Sequence, residues 1–200
     1  MSEPVILRTP LASETVSRLS VGQEVLLSGT VITARDAAHR YLVEREDGDG
    51  MPFDLKGAVI YHCGPLMRRS PSGWEAVSAG PTTSARMDIY EARVIERYGI
   101  RAVLGKGGMG QATGQALREA GAVYLVAAAG AGAILAKRIV TVKGVWKLEE
   151  FGEPEAMWEL EVANLPAVVA MDSKGGNIYS EIEARSAAVL QRILGKGAHK

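Results

Sequence analysis

The stretch RAVLGKGGMGQATGQALREAG, residues 101–121, indicates the fold more directly than any other part of the sequence. A short apolar run leads into a glycine-rich loop and then a helical pattern, so it predicts a strand, a tight loop and a helix. Gly105, Gly107 and Gly110 stand in the GxGxxG spacing of dinucleotide-binding loops. The first question is therefore whether this loop binds a nucleotide.

The surrounding sequence lacks the other signals of a nucleotide site. A dinucleotide-binding unit usually has an acidic residue at the end of its second strand, about 20 residues further on. The second strand predicted here, AVYLVAAAG (122–130), ends in Ala129 and Gly130, and the GxxxxGK[ST] pattern is absent. Two interpretations of the loop remain: an anion site using Lys106 and the positive end of the helix, or a plain turn with an exposed lysine.

Strand and helix patterns alternate irregularly on both sides of this unit. We therefore expect an α/β fold with a mixed central sheet and flanking helices. Residues 1–200 are expected to form one domain, with GKGAHK (195–200) as a mobile tail. The main predicted elements are strands at 23–34, 56–64, 138–146 and 167–173, a hairpin at 68–81 with the turn SPSG, and helices at 82–99 and 177–194. Ser13 and Asp36 are predicted helix N-caps.

Composition restricts the class of protein. Lys plus Arg and Asp plus Glu balance at 23 each, so no overall field favours nucleic acid or an anionic membrane as a partner. The N-terminus has no signal-peptide pattern, and the longest apolar run (122–136) is too short to cross a bilayer. We expect a cytoplasmic protein. The single cysteine, Cys63, cannot form an internal disulfide or hold an iron–sulfur cluster by itself.

Three strand ends combine cations with hydroxyl groups or backbone donors. Each has a plainer interpretation by itself: a solvated arginine, a histidine on a helix surface, or a threonine that caps a helix. Together they indicate a site for a small polyanion such as a dicarboxylate, because arginine binds carboxylates bidentately and lysine supplies a compact charge. The residues are Arg35, Asp36 and His39 after the first long strand, Thr82, Thr83, Ser84 and Arg86 before a helix, and Lys106 in the glycine loop.

These segments resemble a known family. TARDAAHR (33–40), GPTTSARMD (80–88) and VLGKGGMG (103–110), in this order, are similar to the β subunit of class I fumarases and L-tartrate dehydratases, which are iron–sulfur hydro-lyases. The resemblance implies a swivelling β/β/α domain that closes over a [4Fe–4S] cluster held by an α subunit. It also implies an α2β2 assembly, with no metal ligand in this chain. Cys63, on an apolar strand, is then expected to be a buried core thiol.

The resemblance also implies roles for individual residues. Arg35, Arg86 and Lys106 are expected to bind the substrate carboxylates. Thr82 corresponds to the threonine proposed as the base that removes the C3 proton, and it needs strong local positive charge for that role. His39 is a competing acid/base candidate, since the ordinary pKa of histidine lies near neutrality.

The resemblance favours fumarate hydratase, which adds water reversibly to fumarate to give malate. L-tartrate dehydratase is the alternative, because its substrate differs by one hydroxyl group. A non-catalytic dicarboxylate-binding or assembly subunit is a third hypothesis. A β subunit is expected to expose a patch that its partner covers, so the isolated chain is expected to associate with itself as a homodimer.

Overall fold

The computed structural model describes residues 3–46, 50–71 and 73–197, with side chains as far as residue 194. Within these residues, nine strands are β1 (Val5–Arg8), β2 (Glu24–Thr33), β3 (Val59–Tyr61), β4 (Leu66–Ser70), β5 (Gly73–Ser78), β6 (Ala102–Gly105), β7 (Val123–Val126), β8 (Ile139–Trp146) and β9 (Met157–Met171). The helices are α1 (Ser13–Ser17), α2 (Asp36–Glu44), α3 (Asp88–Tyr98), α4 (Gln111–Ala120), α5 (Gly132–Ala136), α6 (Leu148–Phe151) and α7 (Ile178–Gly197), with a 3₁₀ turn at Ser84–Arg86.

The main sheet is mixed and closes on itself. Its strand order is β1-β2-β3-β6-β7-β9-β8, in which β1, β2, β3, β6 and β7 run parallel and β9 runs antiparallel to its neighbours. The long strand β9 also pairs with β2, in a register that joins Val168 to Glu24 and Glu159 to Ile32. Strands β2, β3, β6, β7 and β9 therefore form a ring. The predicted α/β fold with a mixed sheet and flanking helices is confirmed.

Alternation along the strands separates two hydrophobic cores. Val59 and Tyr61 of β3 and Leu104 of β6 belong to one core, while the intervening Ile60 and Val103 belong to the other. Successive side chains of a strand point to opposite faces, so each of these strands is buried on both faces. The second core also contains the apolar faces of α2, α3 and α4. Helix α2 begins directly after Arg35 and α4 a few residues after Lys106, so both helices start at the carboxyl ends of the strands.

Two predicted helix starts are wrong, and one helix is shorter than predicted. The N-caps of α1 and α2 are Ala12 and Arg35, and neither makes a side-chain capping bond. The helix predicted at 82–99 becomes a 3₁₀ turn followed by α3, because the backbone at Thr83 pairs with Lys106 and cannot be helical. The helix ends as predicted at Gly99, which adopts a left-handed conformation at φ 64°.

The strand predicted at 167–173 is only the end of β9, which starts ten residues earlier. Asn164 and Pro166 interrupt the strand pattern of the sequence, and Asn164 has a positive φ. Pairing with β2 and β8 nevertheless keeps β9 extended. The hairpin of β4 and β5 is confirmed, although Ser72 of its predicted turn lies outside the described residues. Of the predicted tail, 195–197 belong to α7 and 198–200 lie outside the described residues.

Candidate active site

The three polar segments meet at one end of the sheet. Strands β2, β3 and β6 are parallel neighbours, so their carboxyl ends, which lead to Arg35, His62 and Lys106, lie side by side. The segment 81–86 runs across these ends. The Thr82 amide donates to the His62 carbonyl at 2.7 Å, and the Ser84 amide donates to the Lys106 carbonyl at 3.0 Å. The sequence-predicted residues are therefore brought together by backbone pairing.

Both arginines of the site are paired with carboxylates of the chain itself. Arg35 Nη2 lies 3.2 Å from Glu155 Oε1, and Arg86 Nη2 lies 2.6 Å from Asp36 Oδ2. Glu155 Oε2 also accepts the Ala37 amide at 3.0 Å, so a distant carboxylate supplies the bond that Asp36 was predicted to make at the start of α2. Two of the three expected cations are thus already balanced. A dicarboxylate has to displace these carboxylates or bind beside them.

The Lys106 ammonium and the Thr82 hydroxyl have no partner among the described residues. Among the residues that the structure describes, nothing forms an ion pair with the Lys106 ammonium or a hydrogen bond with the Thr82 hydroxyl. Both residues are partly buried. A cation and a hydroxyl that lie on adjoining backbone segments and remain unpaired are suited to binding a polar ligand.

The glycine spacing is explained by contacts within the chain. A β-carbon at Gly105 would overlap Ser84 Oγ, and one at Gly110 would overlap the Asp88 carboxylate. Asp88 accepts the Gly110 amide at 2.8 Å and the Thr113 hydroxyl at 2.6 Å, so it occupies the start of α4. The anion at this helix end belongs to the protein. The anion-site interpretation of the loop therefore rests on Lys106 alone and gains nothing from the helix.

His39 is fully buried, so the interpretation of it as a surface helix residue is wrong. Its Nδ1 donates to the Arg35 carbonyl at 2.8 Å, and its Nε2 lies 3.1 Å from Glu91 Oε2. The same oxygen lies 2.7 Å from His62 Nε2. Glu91 and His62 are also fully buried. Two imidazoles thus share one carboxylate oxygen beneath the candidate site.

The hydrogen bonds continue from His62 to the glycine loop. His62 Nδ1 lies 2.9 Å from Ser84 Oγ, which accepts the Lys106 amide at 3.2 Å. The Tyr124 hydroxyl lies 2.9 Å from the same oxygen and donates to the Gly107 carbonyl at 2.8 Å. We call His39, Glu91, His62, Ser84 and Tyr124 the buried network.

Burial and charge act in opposite directions in this network. Burial by itself would lower the pKa of His39, but the Glu91 carboxylate outweighs it, so the pKa is raised. Burial lowers the pKa of His62, and Glu91 does not offset this fully. Burial would raise the pKa of Glu91, but the two imidazoles lower it to about 2. These shifts favour the charged form of His39, the ionised form of Glu91 and the neutral form of His62.

We expect His39 to contribute stability that is lost in alkaline solution. Because its folded pKa lies above the ordinary value of 6.5, the contribution is complete below pH 6.5 and disappears as the pH rises through the folded pKa. Within that window the loss is about 1.4 kcal/mol per pH unit. The measurement is the difference in free energy of unfolding between wild type and His39→Gln, from urea titrations at pH 6–9. A difference that stays constant over this range would contradict a charged His39.

Glu91 and His62 were not predicted as site residues, although the sequence contains a weak signal for each. Glu91 lies on the buried face of α3, one helical turn after Met87 and one before Ile95, where a carboxylate needs a buried partner. His62 interrupts an otherwise apolar strand. Neither position by itself shows that the two side chains meet.

The chain offers few ligands for a metal or cofactor. In the part of the chain that the structure describes, one group of potential metal ligands lies together: donor atoms of His39, His62 and Glu91 fall within 4.8 Å of one another. Hydrogen bonds from the two imidazoles to the Glu91 carboxylate already engage these atoms. Cys63 is buried as predicted, and burial raises the pKa of its thiol to about 12. A buried, protonated thiol does not fit an iron–sulfur cluster. None of the described helices is long and apolar enough to span a membrane.

Comparisons with known proteins agree with the sequence motifs. A family described as Fumarase C-terminus matches residues 1–182. The chain is 43% identical over 187 residues to a protein of Methanocaldococcus jannaschii named "Putative L(+)-tartrate dehydratase subunit beta", covering 92% of this chain and 96% of that protein. It is 38% identical over 178 residues to the Escherichia coli K12 protein named "L(+)-tartrate dehydratase subunit beta", covering 88% and 87% of the two chains.

A third relative is much longer. A Geobacillus stearothermophilus protein named "Putative fumarate hydratase class I" is 47% identical over 190 residues. The match covers 94% of this chain but 36% of that protein, so the chain spans about a third of this relative and most of the other two.

Proposed function

Because the chain belongs to the Fumarase C-terminus family, we propose that it is the β subunit of a two-subunit iron–sulfur hydro-lyase, fumarate hydratase. The reaction is the reversible addition of water to fumarate to give malate. The observation that carries the proposal is that Arg35 and Lys106 follow neighbouring strand ends, and that the segment 81–86, which carries Thr82 and Arg86, is bonded across those ends. Three cations are suited to a dianion whose charge grows in the transition state.

The cations have different parts in substrate binding. The Lys106 ammonium is unpaired among the described residues and can bind a substrate carboxylate directly. Arg35 and Arg86 first exchange the carboxylates of Glu155 and Asp36 for those of the substrate. The Arg86–Asp36 pair is nearly half exposed, so this exchange does not require buried charges to separate.

Thr82 is the proposed base. In its deprotonated form, the Thr82 side-chain oxygen removes the proton from C3 of malate during dehydration and becomes a hydroxyl, and during hydration this hydroxyl returns its proton to that carbon. An ordinary hydroxyl is a poor base, so the positive charge of Lys106 and the arginines has to stabilise its deprotonated form. His39 does not share this role in the proposal, because it is fully buried and both its ring nitrogens are engaged.

We propose that a [4Fe–4S] cluster is held by an α subunit, since the one cysteine of this chain does not fit as a ligand. The cluster supplies a Lewis acid for the substrate hydroxyl. The α subunit is the proposed partner, in an α2β2 assembly located in the cytoplasm. Residues 1–200 are proposed to act as one domain that swivels to close over the cluster. Two of the relatives are named as β subunits, which supports a partner of this kind.

L-tartrate dehydratase is the second candidate, and it is supported by the names of these two relatives. Tartrate has one more hydroxyl group than malate, and the same cations suit both substrates. A non-catalytic dicarboxylate-binding or assembly subunit is the third candidate.

An anaerobic assay of the chain reconstituted with its α subunit tests all three. Malate and L-tartrate are supplied separately, and each subunit alone is the control. Turnover of malate supports the proposal, and turnover of tartrate alone favours the second candidate. Dicarboxylate binding without turnover of either compound would leave the third.

We expect the isolated chain to form homodimers through an exposed apolar stripe on α7. Its members are Ile182, Val189, Leu190, Ile193 and Leu194, each 45–67% exposed. An apolar stripe of this length is normally covered by another protein surface. Sedimentation equilibrium should show a dimer for the wild-type chain and a monomer for Leu190→Glu, with Ser180→Glu as a polar control. A strict monomer at high wild-type concentration would contradict an exposed docking surface.

A further inference from the structure

The buried network connects two of the substrate-binding segments. At one end His39 donates to the Arg35 carbonyl, and at the other Ser84 Oγ accepts the Lys106 amide. Glu91 and His62 complete the connection between them. The backbones of Arg35 and Lys106, two of the three proposed carboxylate-binding residues, are therefore tied to one set of side chains.

The hydrogen positions in this network follow from its partners. A carbonyl only accepts, so His39 Nδ1 carries a proton, and an ionised Glu91 requires a proton on His39 Nε2 as well. His62 donates from Nε2 to Glu91, which leaves Nδ1 to accept the Ser84 hydroxyl proton. Ser84 Oγ is then free to accept the Lys106 amide. Each of these contacts has a donor and an acceptor, so hydrogen-bond donation runs in one direction, from the Lys106 amide through Ser84 and His62 to Glu91.

The network is costly for a purely structural device. His39, His62, Ser84 and Glu91 are all 0% exposed, and Glu91 Oε1 has no hydrogen-bond partner among the described residues. Well-packed apolar side chains often replace a buried ion pair without loss of stability. None of these four side chains can touch a substrate, because none reaches the surface. What they can affect is the placement of the Lys106 and Arg35 backbones.

We propose that His39, Glu91, His62 and Ser84 are positioning residues that hold the Lys106 loop in a fixed place relative to the end of β2. Arg35 is paired with Glu155, but the Lys106 ammonium has no ion-pair partner among the described residues, so the position of the Lys106 loop depends on its backbone contacts. The relevance of this anchor to catalysis rests on the proposed function. The anchor itself is a property of the isolated chain.

Native-state amide exchange measured by NMR tests the anchor without any activity. The full-length chain is compared with Glu91→Gln, which alters the middle of the network without touching Ser84 or Lys106, and with His62→Gln. A glutamine amide can replace Nε2 towards Glu91 but has no group at the Nδ1 position facing Ser84. Ser84→Ala calibrates the full loss of the Lys106 bond. Glu96→Gln, an exposed carboxylate on the same helix, is the matched control.

We expect exchange at the Lys106 amide to be about tenfold faster in Glu91→Gln and His62→Gln, relative to the Val103 amide in β6, and unchanged in Glu96→Gln. If either of the two network variants does not fold, the other decides. The proposal would be overturned by a folded Glu91→Gln or His62→Gln variant in which the ratio of the Lys106 to the Val103 exchange rate equals that of the wild type.

Kinetics of the reconstituted pair then test the link to substrate. A displaced carboxylate clamp raises KM for malate by about tenfold with a smaller change in kcat, whereas a general loss of folded enzyme lowers activity without changing KM. Faster Lys106 exchange with an unchanged KM would overturn the positioning role. A wild-type pair without hydro-lyase activity would overturn the proposed function instead, while the exchange ratio still decides whether the anchor exists.

Discussion

Replacing Thr82 with valine is expected to lower kcat for malate dehydration by roughly 10²–10⁴-fold, the usual contribution of a positioned acid/base group. Valine keeps the branched shape and removes only the hydroxyl group, which has no protein partner among the described residues. The fold should not change, and KM should change little, because the carboxylates are bound by other residues. Steady-state kinetics of the reconstituted pair provide the measurement.

Thr83→Val is a matched control. Thr83 is the next residue, its side chain is exposed and it makes no capping bond, so its replacement should leave kcat near the wild-type value. His39→Asn tests the competing base. If His39→Asn abolishes turnover while Thr82→Val retains near-wild-type turnover, the threonine hypothesis fails.

Replacing Lys106 with methionine is expected to lower kcat/KM by roughly ten- to more than a hundredfold, since a charge-assisted bond to a carboxylate is worth roughly 1.5–3 kcal/mol. Methionine keeps most of the side-chain volume. The Lys106 backbone, which pairs with Ser84 and Thr83, is unaffected. Lys137→Met is the control, because Lys137 is an exposed lysine at the end of α5. The same assay of the reconstituted pair compares the two variants.

The nucleotide hypothesis predicts a different result for this loop. NAD or NADP would raise the melting temperature of the wild-type chain through preferential binding to the folded state. We expect no such shift, because the glycines at 105 and 110 make room for Ser84 and Asp88. Unchanged kinetics in Lys106→Met together with a nucleotide-dependent melting temperature would refute the dicarboxylate proposal.

Local patterns predicted the elements of the fold but not how the sheet closes. The strands around Val59, Ala102 and Val123 are short, distinct apolar runs, so these strands could be predicted from the local sequence pattern alone. The first half of β9 could not, because Pro166 and Asn164 break its pattern and its partner β2 lies far away in the sequence. Pairing between distant segments has no local signature.

The candidate site shows the same division. Arg35 and Lys106 follow strand ends that parallel pairing brings close together, so their proximity could be predicted from residue types and positions, whereas Thr82 is placed by a backbone bond to His62 from outside this sheet. The partners of Arg35 and Arg86 could not, because Glu155 comes from a turn before β9 and Asp36 had a plausible role as a cap. Ion pairs depend on side-chain placement within a few ångströms, which spacing does not specify.

The closed ring of strands has a consequence for how the chain folds. The antiparallel pairing of β2 with β9, which joins Glu24 to Val168, cannot form until the chain has been synthesised as far as β9. Strands β3, β6 and β7 can pair as soon as the helices that connect them have formed. Contacts between distant segments slow folding, because the entropy of closing the loop is lost before the contacts form. A nascent chain that ends before β9 exposes an unpaired edge of β2, which is a template for aggregation. The synthesis of β9 therefore determines both when the ring of strands closes and how long its open form needs protection from other chains.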